Sequence, residues 1–189
     1  RTFHPEKLIL NDICHEMSTC FADLLSDRQV TFIPGDAEQL SFPSGQDLIV
    51  SCSALQWFVS PELFFKRCNA LLSGHGYFAF STFGKENLKE IAAVTGSGLH
   101  YYSLEELKKS LSMHYNIVTA GEERIRLTFA TPLDVLYHLK HTGVTAVCRQ
   151  AWTKGDLQEF CDKYAKLFSC GNAVTLTYHP LYIIARKKP

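Results

Sequence analysis

No stretch of this 189-residue chain approaches the ~20 apolar residues that a membrane helix needs. Its N-terminus also lacks the basic-then-apolar layout of a signal peptide, so the sequence predicts a protein neither exported nor anchored. Charge of one sign is missing too: nineteen Lys and Arg balance nineteen Asp and Glu. Without an overall positive field to gather phosphates, nucleic acid is set aside as a partner. The seven cysteines, at 14, 20, 52, 68, 148, 161 and 170, cannot all pair and form no Cys-x-x-Cys. They resemble neither a disulfide framework nor a zinc clip, which fits a reducing cytoplasm. Also absent are a glycine-rich phosphate loop, a His-x-x-x-His pair, a serine nucleophile elbow, repeats and linkers. With 46% hydrophobic and 20% charged residues, what remains is the composition of a globular protein with one core.

Short apolar runs alternate with helical patterns through the first half, the signature of βαβ units and a parallel sheet, so the class is α/β. Leu8 to Asn11 reads as a strand, and Met17, Cys20, Phe21, Leu24 and Leu25 recur at helical spacing. Val30 to Ile33 and Asp47 to Cys52 are further strands. Ser60-Pro61-Glu62 opens a helix that Gly74 is expected to close. Tyr77 to Thr82 is another strand, and Ser103-Leu104-Glu105-Glu106 is a capping box leading a helix through about Ser112. Arg124 to Phe129 alternates as a half-exposed strand. Thr131-Pro132-Leu133-Asp134 starts a helix that Gly143 ends, and Leu157, Phe160, Cys161, Tyr164, Leu167 and Phe168 mark one more. The last element, Val174 to Ala185, alternates as one strand whose Pro180 predicts a bulge or an edge position.

In open parallel sheets ligands bind beyond the carboxyl ends of strands, and three such ends are polar. Asp12 either accepts from both hydroxyls of a ribose or simply caps the following helix. Asp36, in Gly35-Asp36-Ala37-Glu38, either accepts from an adenine amino group or belongs to an ordinary turn. The third end runs from Ser51 through Cys52 to Gln56-Trp57, an amide beside a flat aromatic wall; the plain alternative is a core tryptophan next to a surface glutamine.

These three ends, in this order and spacing, resemble a class I S-adenosylmethionine-dependent methyltransferase. Leu10-Asn11-Asp12-Ile13, Gly35 to Glu38, and Asp47 to Ser51 leading into Ala54-Leu55-Gln56-Trp57-Phe58 carry the likeness. Leu139 to Thr145 and Leu176-Thr177-Tyr178-His179, with the strand Tyr77 to Thr82, narrow it to the malonyl-acyl-carrier-protein O-methyltransferases that open pimeloyl synthesis for biotin. The resemblance implies one Rossmann-like domain over residues 1–189, mostly parallel with an antiparallel C-terminal strand, and a helical substrate lid around 131–170. It implies S-adenosyl-L-methionine as cofactor, held by Asp12, Ile13, Asp36, Ala37, Ser51 and Cys52. Cys52 departs from the family, where asparagine is frequent. In the family a first strand and its glycine loop precede Asp12; their absence here implies that the chain is part of a longer protein.

The implied reaction is methylation of the free carboxylate of malonyl-acyl-carrier protein or malonyl-CoA. A carboxylate with a reference pKa of ~4 is ionised at neutral pH, so no general base is required and side chains position rather than abstract. Gln56, Trp57, Lys140, His141, Tyr178 and His179 are the candidates. Lys140 and His141 equally suit a helix C-terminus, and Tyr178 and His179 equally suit a sealed strand joint. An acidic carrier protein predicts a basic docking face, for which Lys85, Lys89, Lys108, Lys109, Arg149 and Lys154 are available. The chain is expected to act as a monomer with no metal. A methyltransferase for another small acid or metabolite, or a non-catalytic binding module that lost the cofactor, are the alternatives.

Overall fold

The computed structural model describes residues 5–144 and 152–189, in two compact units, residues 1–44 and 45–189. Thr145 of the Leu139 to Thr145 motif, Cys148 and Arg149 lie outside the described residues.

In the first unit β1 (Leu8–Asp12) pairs parallel with β2 (Val30–Pro34). The helical pattern between them resolves into two short turns of helix, α1 (Met17–Cys20) and α2 (Ala22–Leu25), broken at Phe21. Phe21 stacks obliquely on Phe32 at 5.8 Å and so anchors that break to β2. Where β1 and β2 end, Asn11 Nδ2 donates to Ile33 O at 2.7 Å and Gly35 O at 3.0 Å, and Gly35 N donates to Asp12 O at 2.9 Å. Gly35 has φ +131°, a conformation open to residues without Cβ, which lets the chain turn sharply against Leu40.

The second unit holds a four-stranded sheet in the order β3 (Gln46–Cys52), β4 (Leu72–Phe83), β9 (Pro180–Lys187), β5 (Tyr115–Glu122). β3 and β4 are parallel, whereas β9 runs antiparallel to both β4 and β5. The expected antiparallel C-terminal strand is therefore present. The row Ile49, Phe78, Ala185 and Ile117 points to one face, with Phe80 and Ile183 on the same side. There α3 (Pro61–Leu71) and α5 (Leu104–Leu111) supply Phe65, Cys68, Leu107 and Leu111 to a closed core. Each fully buried aromatic or leucine of this set contributes ~1.5–3 kcal/mol. The opposite face leaves Val50 and Ile184 partly exposed.

A second core lies between α4 (Lys89–Thr95), α6 (Pro132–His141), α7 (Lys154–Phe168) and a small antiparallel sheet, β6 (Ile125–Phe129), β8 (Ala173–Tyr178) and β7 (Ser169–Cys170). Val135, Tyr164 and Leu176 are fully buried in it. Tyr164 reaches its partner by donating to Thr175 O at 2.8 Å. Ser103, Thr131 and Thr153 each complete a reciprocal capping box with the residue three positions on.

Three expectations are corrected. Gly74 does not close α3: the helix passes at Leu72 straight into extended backbone, and Gly74 lies inside β4. The final run is two strands in different sheets. Pro180 is the first residue of β9, where a missing N–H costs nothing, and β9 is an interior strand, so neither bulge nor edge is needed.

Candidate functional site

Within residues 1–44 the carboxyl ends of two adjacent parallel strands carry Asp12 and Asp36. Asp12 Oδ1 accepts from Cys14 N at 2.8 Å, which fixes the carboxylate and leaves Oδ2 for a ligand hydroxyl. Asp36 Oδ1 accepts from Glu38 N at 2.8 Å and Oδ2 from Gln39 Nε2 at 2.9 Å, each oxygen keeping a further lone pair. The N–H of Ala37, beside that carboxylate, enters no hydrogen bond among the described residues. An acceptor next to a backbone donor matches the amino group and ring nitrogen on the Watson–Crick edge of adenine. Ile13, 77% exposed, offers an apolar surface next to Asp12. The donor set therefore fits the adenosyl part of S-adenosylmethionine.

Within residues 45–189, β3 ends at Ser51 and Cys52, paired with Phe80 and Ser81. Ser53 then takes φ +50°, a left-handed turn held by its N–H, which donates to Ser81 O at 3.0 Å and lies 3.2 Å from Ser81 Oγ. Such a conformation costs a non-glycine residue ~1–3 kcal/mol and persists only where surrounding bonds enforce it. It launches a 3-10 turn, Leu55–Trp57, that buries Leu55 and leaves Trp57 46% exposed. Gln56 is fixed in orientation: its Nε2 donates to Ser53 O and its Oε1 accepts from Thr82 Oγ1 at 3.2 Å.

Gln56 and Thr82 line a small, partly enclosed cleft together with Phe83, His100, Tyr101 and Tyr102. The last three were not singled out by sequence reasoning, although a polar aromatic cluster in a loop just before the Ser103 cap is a usable signal. Behind the cleft, Tyr101 Oη accepts from Asn87 Nδ2 at 3.1 Å, and Asn87 Oδ1 accepts from the His179 N–H at 3.2 Å. Burial raises the Tyr101 phenol above its ordinary pKa, so it stays protonated.

His179 is 3% exposed and committed within the fold. Its Nδ1 accepts from Glu86 N at 3.2 Å; a backbone N–H can only donate, so Nε2 carries the proton and donates to Glu122 Oε2 at 3.2 Å. Gly84 makes this possible, because a Cβ there would lie 2.6 Å from His179 Cε1. Arg124 bridges Glu86 and Glu122 on the outside and, more than His179 does, holds the Glu122 carboxyl below its usual range. Hence the ring locks the β8–β9 joint to the 84–87 loop, the sealing role that was the alternative to substrate contact.

Tyr178 Oη lies 2.9 Å from His138 Nε2 and its ring packs near Phe83. His138, two residues before Lys140, is the partner that sequence reasoning missed. Lys140 and His141 end α6 with exposed side chains. Of the lysines expected to form a basic face, Lys85, Lys89 and Lys108 are paired with Glu106, Glu86 and Glu105 at 2.7, 3.0 and 2.8 Å, which mutes their field. Lys109 and Lys154 are exposed. No cluster able to hold a metal ion and no helix long and apolar enough to cross a membrane occurs among the described residues. The six described cysteines are all free.

Residues 2–80 match the family described as Methyltransferase domain. The fold is similar to that of the YcgJ protein of Bacillus subtilis (16% identity, TM-score 0.62, 97% of this chain and 83% of that one). It is also similar to the N-methyltransferase NodS of Bradyrhizobium japonicum in complex with S-adenosylhomocysteine (13%, TM-score 0.52, 97% and 67%). Curated relatives are named malonyl-acyl-carrier-protein O-methyltransferase. That of Bacteroides thetaiotaomicron is 56% identical over 100% of this chain and 76% of its own length, and that of Haemophilus influenzae 40% over 94% and 68%. That of Bacteroides fragilis is 57% identical over 100% of this chain, which spans 38% of that longer relative. A Rossmann-like sheet, acidic strand ends suited to adenosine and this level of identity agree: the chain belongs to the malonyl-acyl-carrier-protein O-methyltransferase family of class I S-adenosylmethionine-dependent methyltransferases.

Proposed function

We propose that this protein transfers a methyl group from S-adenosyl-L-methionine to the free carboxylate of malonyl-acyl-carrier protein, giving the methyl ester that primes pimeloyl synthesis in biotin biosynthesis. The observation that carries the reading is the 56% identity, over the whole of this chain, to a relative of that name. Free cysteines, four of them exposed, support a reducing cytoplasmic location.

When bound, S-adenosylmethionine supplies an electrophilic methyl group. The chain's contribution is to place an already ionised carboxylate and exclude water, with no proton to remove. Asp12 with Ile13 is assigned to the ribose, Asp36 and Ala37 to adenine, and Ser51 and Cys52 to the cofactor from the end of β3. Gln56 and Trp57 are assigned to the substrate side. The rigid Gln56 amide keeps one N–H beyond its bond to Ser53, and the exposed Trp57 ring gives a flat apolar wall. Tyr178, paired with His138, can donate to a substrate oxygen, and Lys140 and His141 at the exposed end of α6 can meet the carrier-borne end of the substrate. An acidic carrier protein would approach Lys109 and Lys154 rather than the lysines already matched with glutamates. Once methylated, the acyl chain has lost its distal charge and passes as an ordinary fatty acyl group.

Incubating the full-length protein with methyl-labelled cofactor and malonyl-acyl-carrier protein is expected to place label on the carrier as a base-labile ester. Label on free malonate in preference to the carrier-bound form would redirect the assignment to a small-acid methyltransferase.

A further inference from the structure

Within the cleft, two side-chain polar hydrogens are already spent. The Thr82 hydroxyl donates to Gln56, and one Gln56 N–H goes to Ser53 O. The direction in which the Tyr101 phenol is engaged is fixed by donor and acceptor types alone. Asn87, 5% exposed, meets the His179 backbone N–H with one end of its amide; that end must be the oxygen, because an N–H cannot accept. The other end is then the NH2 group, and the group it meets is Tyr101 Oη at 3.1 Å. An NH2 can only donate, so the phenol oxygen is the acceptor and its own proton must point elsewhere. No hydrogen bond among the described residues uses that proton, and Tyr101 lines the cleft.

We propose that Tyr101 is a specificity-determining residue that donates this hydrogen bond to the carboxylate of the acyl substrate, with Asn87 as the positioning residue that turns the phenol proton into the cleft. The proposal rests on the carboxyl-methylation reading above and names the group that reads the carboxylate. A neutral donor suits the chemistry. It recognises the charge through one oxygen while leaving the other less damped than an ammonium or guanidinium partner would, so the free oxygen remains nucleophilic. The chain Glu122, His179, Asn87 and Tyr101, buried at His179 and Asn87, fixes the geometry before substrate arrives, which limits the ordering cost on binding.

The test uses the full-length protein and two variants. Y101F removes the donor alone. N87D replaces the NH2 with an acceptor, so the phenol donates backwards and turns a bare oxygen toward the substrate carboxylate. Losing a hydrogen bond to a charged group lowers kcat/KM for malonyl-acyl-carrier protein by ~10- to 100-fold in Y101F, and N87D falls at least as far although its phenol is intact. Calorimetric affinity for S-adenosylhomocysteine stays within about twofold. The decisive readout is inhibition by malonyl-pantetheine relative to its methyl ester: the wild type prefers the acid and Y101F loses that preference, which a general loosening would not produce. If the wild type is active and Y101F keeps both its kcat/KM and its preference for the acid, the proposal is wrong. If the wild type transfers no methyl group to malonyl-acyl-carrier protein, the underlying reading fails and takes the proposal with it.

Discussion

Gly84 and His179 should behave as one unit in a double-mutant cycle. In Gly84→Ala the new methyl would sit 2.6 Å from His179 Cε1 and 2.7 Å from Nδ1, well inside contact distance, so the ring or the 84–87 loop must shift. Overpacking of this kind costs ~1–3 kcal/mol. His179→Ala removes a ring that is 3% exposed, leaving a cavity and an unpaired Glu86 N–H. A large buried ring reduced to alanine costs ~3–5 kcal/mol, and an orphaned buried donor adds ~1–3 kcal/mol where solvent cannot reach it. In the double variant the methyl introduced by Gly84→Ala occupies space the ring has vacated, so the clash disappears. The double variant should therefore be no less stable than His179→Ala alone, a coupling of ~1–3 kcal/mol in favour of the pair. Urea unfolding followed by circular dichroism measures it, with constant m values as the check that the denatured state is unchanged. Additivity within ~0.5 kcal/mol would refute the claim that the ring is packed against Gly84.

Other outcomes follow from the same geometry. Alkylation read by mass spectrometry should label Cys14, Cys20, Cys52 and Cys170, but not Cys68, which is buried and whose thiol is pushed up to about 12 by desolvation. S-Adenosylhomocysteine should protect Cys52, and labelling unchanged by saturating ligand would remove Cys52 from the cofactor site. The Glu86 carboxyl is lowered to about 2 by Arg124 and then Lys89, and Glu106 to about 2 by Lys85 and the Ser103 cap. Both lie below the ordinary 4.5, so their stabilisation is complete above 4.5 and fades as pH falls toward 2. Glu106→Gln should flatten the fall of the thermal midpoint across that window; an unchanged slope would count against the capping and Lys85 contacts. Charge reversal at Lys109 and Lys154 together should raise KM for the carrier-bound substrate severalfold and leave a malonyl-pantetheine substrate unaffected, whereas equal effects on both would place carrier docking elsewhere.

Elements with local determinants were legible in the sequence. Ser103, Thr131 and Thr153 stand three residues ahead of an acid, and all three form reciprocal capping boxes, of which the first two were anticipated as helix starts. β5 was missed because Tyr115 to Glu122 mixes Asn116, Thr119 and Gly121 into a short run. Its place is decided by pairing with β9, which lies far along the chain, Glu122 opposite Leu181 and Tyr115 opposite Lys187. Gly121 belongs to that pairing, since a Cβ there would strike the Tyr182 ring. α4 escaped notice for a related reason. It begins after Leu88 at φ +53° with no side-chain cap, held instead by Leu88 N donating to Thr177 O at 2.8 Å. The acidic strand ends Asp12 and Asp36 could be read because strand and polar terminus are contiguous. Tyr101 could not, because its role depends on Asn87 and on His179, and no spacing rule brings residues 87, 101 and 179 together.

The most direct measurement is intact-mass analysis of carrier proteins loaded with malonyl, acetyl or succinyl groups after incubation with full-length protein and methyl-labelled S-adenosylmethionine. One labelled methyl on the malonyl form, released by mild base, with none on the acetyl form and less on the succinyl form, is the predicted result. Label that is absent from the malonyl form, or that resists base, would contradict it.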